Sequence, residues 1–297
     1  MKMILISALN DYGWWRHETN PPKYYNWGAL GDLFPNDVYY INLNEFMKPI
    51  LFHDMGDIDI VFVQQCKGPE NFHVKVFKKV KSFFPKAKIV MLQEDDISMI
   101  FRMSPQGQVD HFKAVKEYVD MVYVHEDERA MNTYSMIHDN VKTFYTPYPV
   151  KWVKDNFLIP FDKREYELLV IGSVSKVYNG ILSWLFKEKY KLKTLATMCE
   201  RYNGRVEGLF ENEVKEMHWH SWLREIANCK YYYNSMWEIG SRSFRIACGA
   251  LGIAEVIHSH ENDLVVRSIA IKPKYDFSVC KNRIKDELES LIWGVKC

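Results

Sequence analysis

Short apolar runs rich in Val, Ile and Tyr recur along the chain, separated by stretches whose apolar positions repeat at helical spacing. The runs predict strands near 2–9, 38–43, 59–65, 87–93, 120–125 and 141–146. Helices are predicted between them, at about 25–33, 44–52, 69–83, 108–118 and 127–138. A strand that is apolar throughout, rather than alternating, is buried on both faces, and intervening helices supply the cover. Residues 1–150 therefore predict a doubly wound α/β unit with a parallel sheet.

The texture then changes. Thr146-Pro147-Tyr148-Pro149 removes two backbone donors, and the charged stretch after it, with Pro160, reads as a linker over 151–165. At Tyr166–Gly172 the alternation restarts, with strands near 166–172, 192–197, 230–234, 251–256 and 267–271. Helices near 178–189, 212–228 and 241–249 complete a second α/β unit over 166–272. The remainder, 273–297, holds an amphipathic stretch with Ile284, Leu288, Leu291 and Ile292 on one face, predicted as a closing helix that crosses back.

Composition narrows the partners. Hydrophobic residues make up 47% and charged residues 26% of the 297, which excludes a disordered chain. Thirty-nine basic side chains against 38 acidic leave +1, so nucleic acid could be held only by a local patch. No apolar run is long enough to predict a membrane span, and Met1–Ile6 passes into Ser7 too soon for a signal-peptide core. The six cysteines are scattered without zinc spacing, as expected of reduced thiols in a cytoplasmic protein, in the host's cytoplasm if the chain is viral.

Ligands of open parallel sheets bind beyond the carboxyl ends of the strands, so the residues following each strand carry the candidate chemistry. After the first strand come Asn10, Asp11, Trp14, Trp15 and Arg16, in a long connection without a dinucleotide fingerprint. They are candidates for acceptor binding. The fourth strand ends in Gln93-Glu94-Asp95-Asp96. Clustered carboxylates at such a place serve as turn caps, as metal ligands, or as a general base, for which Asp96 is the first candidate and Asp95 the second. Asp57-Ile58-Asp59 has a metal-like spacing but precedes its strand, and no metal site is predicted there.

In the second unit the first strand runs into Gly172-Ser173-Val174-Ser175-Lys176, a combination able to cradle a phosphate. The stretch from Trp237 to Ala250 carries Glu238, Ser241, Arg242, Ser243 and Arg245 ahead of a small-residue end at Ala247-Cys248-Gly249. Two arginines one turn apart near a helix amino end oppose the helix dipole, and a diphosphate would explain them.

This stretch resembles the donor-binding half of GT-B glycosyltransferases. It is similar to the spore-maturation-protein-like glycosyltransferases and to phage DNA glucosyltransferases, with Arg242, Phe244, Ala247 and Gly249 fitting their pattern. One position departs: where the family carries a Glu that holds the donor ribose, this chain has Arg245, so that either Glu238 takes over, or the donor is held differently, or donor binding is degraded. The resemblance implies two Rossmann-like units facing across a cleft. It also implies a nucleotide-diphosphate sugar as donor, UDP-sugar first among the choices, and metal-independent transfer to an acceptor hydroxyl. Gly172, Ser173, Lys176, Glu238, Ser241, Arg242, Ser243 and Arg245 would bind the donor, and Asp96 would act as base. The acceptor stays open between a modified base in DNA and a glycan or protein. Lys67, Lys75, Lys78, Lys79, Lys81, Lys86 and Lys88 form either a solvated helix face or a phosphate-contacting patch. A binding module that has lost turnover is the different-class alternative, with Arg245 as its support.

Overall fold

The computed structural model describes residues 1–7, 29–48, 56–64, 70–93, 112–125, 128–145, 150–171, 192–195, 219–233, 242–258, 264–271 and 273–294. The chain divides into two compact units, Met1–Pro147 with Lys274–Cys297, and Tyr148–Pro273.

The first unit is built on β1 (Met3–Ser7), β2 (Val38–Asn42), β3 (Ile60–Gln64), β4 (Lys88–Gln93), β5 (Met121–His125) and β6 (Val141–Phe144). Among the described residues they form a sheet in the order β2-β1-β3-β4-β5-β6, with every neighbouring pair parallel. The helices are α1 (Ala29–Leu33), α2 (Leu43–Met47), α3 (Glu70–Phe83) and α4 (Glu128–Ser135), and a helical turn at 112–115 runs into the 3-10 turn Lys116–Tyr118. The sheet is covered on both sides, which is why β1 and β3 are buried at every position. One face packs Ile4, Ile6, Val61, Val63, Ile89 and Met91 against Phe46 of α2 and Val76, Phe77 and Val80 of α3. Alternate residues, Leu5, Phe62 and Leu92 among them, turn to the other face and meet Leu30 and Leu33 of α1.

Ile284 and Leu288, on the helix Phe277–Trp293, share that second face. The helix is capped at its start by Asp276, whose carboxylate accepts from the Ser278 and Val279 amides. It stops at Gly294, which takes the left-handed conformation (φ 68°) that favours glycine. The fully buried Tyr123 phenol donates a 2.6 Å hydrogen bond to Glu287, and burial pushes its pKa well above the ordinary value.

The second unit opens with α5 (Val150–Phe157) and the 3-10 turn Phe161–Lys163, so the stretch read as a linker holds regular structure. Then follow β7 (Tyr166–Ile171), β8 (Leu192–Leu195), α6 (Trp219–Ala227), β9 (Cys229–Tyr233), α7 (Arg242–Ala250), β10 (Ala254–His258) and β11 (Leu264–Arg267). Numbered in chain order, the helix Phe277–Trp293 is α8. The described strands order as β11-β10-β9-β7-β8, parallel except for β11, which pairs antiparallel to β10 at the edge.

Candidate functional site

A doubly wound sheet opens a crevice where neighbouring strands send their chains in opposite directions. In the first unit this switch point lies between β1 and β3, because β2 sits on the other side of β1. The strands there are apolar until their last residues. Ser7 ends β1, Gln64 ends β3 and Gln93 ends β4, all three buried. The Ser7 hydroxyl is hydrogen-bonded to Gln64 Oε1, and the Tyr40 hydroxyl donates to the Ser7 carbonyl at 3.0 Å. Among the described residues, five polar or charged side chains are buried, and three of them stand on this edge. A buried polar group is costly unless hydrogen-bonded, so the concentration marks the edge as chemically distinct from the rest of the sheet. Asn10, Asp11, Trp14, Trp15 and Arg16 follow β1 in sequence, and Asp95 and Asp96 follow β4; all lie outside the described residues.

In the second unit the switch point lies between β7 and β9. Val170 pairs with Tyr233, so the two strands finish side by side. Gly172, Ser173 and Lys176 come after β7, and Glu238 and Ser241 fall between β9 and α7; these too lie outside the described residues. Arg242 and Ser243 form the start of α7.

Arg245 is the donor-site candidate whose side chain is described. Its Nη2 donates to Glu255 Oε2 at 2.7 Å. The arginine side chain is 51% exposed, while the glutamate, on β10, is only 2% exposed. A carboxylate that deep needs a counter-charge, and Arg245 supplies it from the neighbouring helix. An internal partner thus accounts for one of the two arginines without a diphosphate.

Gly249, near the end of α7, is explained by packing. A Cβ placed there would stand 2.8 Å from Ile269 Cγ2 and 3.2 Å from the Ile269 carbonyl oxygen. Cys248 beside it is fully buried, which drives its thiol pKa well up.

Sequence reasoning missed two buried charges. Glu255 stands inside the apolar run Ile253–Ile257, ten residues after Arg245, and an acid in such a run was the available signal. Arg164 is buried and donates to four carbonyls, of Ile159, Cys229, Leu251 and Gly252. Nothing in its exposed-looking neighbourhood, Asp162-Lys163-Arg164-Glu165, distinguishes it. No group of three or more His, Cys, Asp or Glu side chains among the described residues is arranged to hold a metal ion. No described helix is long and apolar enough to cross a membrane.

Two doubly wound α/β units in tandem along the chain, with the last helix packed on the first, make the fold that of the GT-B glycosyltransferases. The chain is similar to an alpha-glucosyltransferase solved with UDP and a 13-mer DNA containing an HMU base, with a TM-score of 0.53 at 12% identity, covering 99% of this chain and 94% of that one. A second alpha-glucosyltransferase structure, with UDP and a 13-mer DNA containing a central A:G mismatch, matches at 0.53 and 13% identity over 98% and 93% of the two chains. A UDP-forming alpha,alpha-trehalose-phosphate synthase from Burkholderia xenovorans matches at 0.51 and 10% identity over 78% and 74%. No protein-family profile matches the sequence, and no curated protein does.

Proposed function

We propose that this protein transfers a sugar from a nucleotide-diphosphate sugar, UDP-glucose first among the candidates, to a hydroxyl on a modified base in DNA. The observation that carries the reading is the end-to-end fold similarity to an alpha-glucosyltransferase solved with UDP and DNA, over 99% of this chain. Support also comes from the phosphate-cradling composition Gly172-Ser173-Lys176, which in sequence follows β7, a strand that borders the switch point of the second unit.

In the reaction, the acceptor hydroxyl oxygen forms a bond to the anomeric carbon as the bond to the diphosphate oxygen breaks. Asp96 takes the acceptor proton, a contribution on the order of 10²–10⁴ in rate. Lys176, Arg242 and the amides around Ser173 stabilise the negative charge growing on the departing diphosphate. Glu238, Ser241 and Ser243 complete the donor contacts. Arg245, neutralised by Glu255, stays outside that set. Asn10, Asp11, Trp14, Trp15 and Arg16 form the acceptor side. Transfer needs no metal, because the cationic side chains and a helix start take its place.

The test is UDP-glucose turnover on a duplex carrying a hydroxymethylated base, followed by mass spectrometry of the product DNA. Asp96→Asn is expected to leave UDP affinity intact and to lower turnover at least tenfold. Activity abolished by chelator and restored by manganese would make Glu94-Asp95-Asp96 a metal site. Donor consumption with a soluble sugar acceptor and none with DNA would replace the DNA reading by a glycan one.

A further inference from the structure

The lysines singled out in the sequence are sorted by the structure. Lys79 is used internally: its ammonium donates to the Lys48 carbonyl at 2.7 Å and lies 5.3 and 5.6 Å from the Phe46 and Phe83 ring centres. Lys88 pairs with Asp120 at 3.2 Å. Lys75, Lys78, Lys81 and Lys86 are exposed and have no acidic partner among the described residues. The neighbouring helical segment, packed against α3, adds the exposed Lys113 and Lys116. Among the residues of the two segments and the turn ending at Lys86 whose exposure is described, Glu117 is the one exposed acid that accompanies these six lysines.

Other helices of this chain are laced differently. α5 pairs Lys151 with Asp155, and α8 pairs Arg283 with Glu287 and Lys285 with Glu289, all at i,i+4. That is how a solvated helix face offsets its charge. In α3 the positions four residues after Lys75 and Lys78 are Lys79 and Ser82, and Glu70 is the helix's single acid. Like charges left together on one face destabilise the free protein unless something negative covers them. The formal charge of the whole chain is only +1, so the excess is local.

We infer that this face, Lys75, Lys78 and Lys81 on α3 with Lys86 and Lys116 beside them, docks the phosphate backbone of duplex DNA. The inference rests on the DNA-acceptor reading and adds where the duplex is held. Lys75 to Lys81 spans about 9 Å of helix at roughly 1.5 Å per residue, enough to meet successive phosphates. The row runs down the helix, away from the carboxyl edge of the sheet where α3 begins, so it positions the backbone while the reacting base is read elsewhere. An anionic membrane fits less well, since none of the large exposed hydrophobics of the described residues (Tyr39, Met136, Leu158, Phe161, Val265, Val266, Val279, Trp293) belongs to α3 or to the segment 112–118.

The experiment measures binding of the whole protein to an unmodified duplex by fluorescence anisotropy between about 50 and 200 mM salt. Lys75→Gln/Lys78→Gln/Lys81→Gln is expected to flatten the slope of log K against log salt by about 0.9 per lost phosphate contact, two to three in all. UDP affinity by calorimetry should not move. The control Lys151→Gln/Lys285→Gln should keep the wild-type slope. An unchanged slope in the triple variant, with wild type binding duplex steeply, overturns this docking face and leaves the DNA acceptor standing. Equal losses in the control overturn it in favour of a diffuse field. Wild type that turns over UDP-glucose but binds phosphatidylserine vesicles and no duplex overturns both the face and the DNA reading.

Discussion

Replacing Arg245 by Met removes the counter-charge of Glu255 while keeping most of the arginine's apolar stem. Breaking a fully buried ion pair from one side costs about 3–5 kcal/mol, because a charge is left without compensation. Here the carboxylate is 2% exposed but the guanidinium is 51% exposed, so water reaches one end of the pair. The expected loss is therefore reduced to about 2–3 kcal/mol. Glu255→Leu leaves the charge on the exposed member, which water solvates, and should cost about 1 kcal/mol. The double variant Arg245→Met/Glu255→Leu replaces the pair by apolar groups and should return to within about 1 kcal/mol of wild type. Urea unfolding of the four proteins closes the cycle, with a coupling of about 3 kcal/mol expected. UDP calorimetry on the double variant then separates folding from binding: affinity within about twofold of wild type is expected. A coupling near zero would refute the structural pairing. A tenfold loss of UDP affinity in the well-folded double variant would return Arg245 to the diphosphate.

Three further outcomes follow from the geometry. Gly249→Ala gains helix propensity of up to about 1 kcal/mol but drives a methyl into Ile269, an overpacking cost of about 1–3 kcal/mol, so thermal unfolding should show a net loss that Ile269→Ala partly restores. Tyr123→Phe removes the hydrogen bond to Glu287 that ties α8 to the sheet, and urea unfolding should report a loss of about 1.5–3 kcal/mol, against none if the contact is dispensable. The Asp276 carboxyl is held below the ordinary value, first by the Ser278 hydroxyl and then by backbone amides. Its folded-state value is depressed, so the cap's contribution is complete above about pH 4 and is lost as pH falls through the lowered value. The difference in stability between wild type and Asp276→Ala, about 1 kcal/mol at pH 7, should shrink toward zero in acid.

The sheets were legible because parallel strands must be apolar throughout. Residues 59–65 and 120–125, read from Val and Ile runs, correspond to Ile60–Gln64 and Met121–His125. The residues of α5 read as linker because the stretch after Pro149 carries a run of charges and holds Pro160. Those charges, Lys151, Lys154 and Asp155, sit on a helix that buries Val153 and Phe157, and Pro160 falls three residues after its end. The strand read at 251–256 begins three residues later, after Gly252 turns with φ 68°. The Arg245–Glu255 pair is not legible in the sequence, because the two residues are ten apart on different elements and helical periodicity carries no record of a helix-to-strand contact. The candidate residues of the strand-end loops were legible only by type and position, through the rule that parallel sheets bind at their carboxyl ends.

That rule also says why the buried charges of the second unit lie where they do. Arg164 has five N–H donors in a fixed fork, and the carbonyls that receive them lie at the start of β9 and in the turn before β10. Both places are at the amino ends of the strands. The guanidinium thus joins α5's exit, β9 and the α7–β10 turn on the side of the sheet opposite the switch point. In the first unit the buried side chains at the carboxyl edge, Ser7, Gln64 and Gln93, are uncharged. An uncharged amide can both donate and accept, so these side chains can be satisfied by hydrogen bonds without a counter-charge.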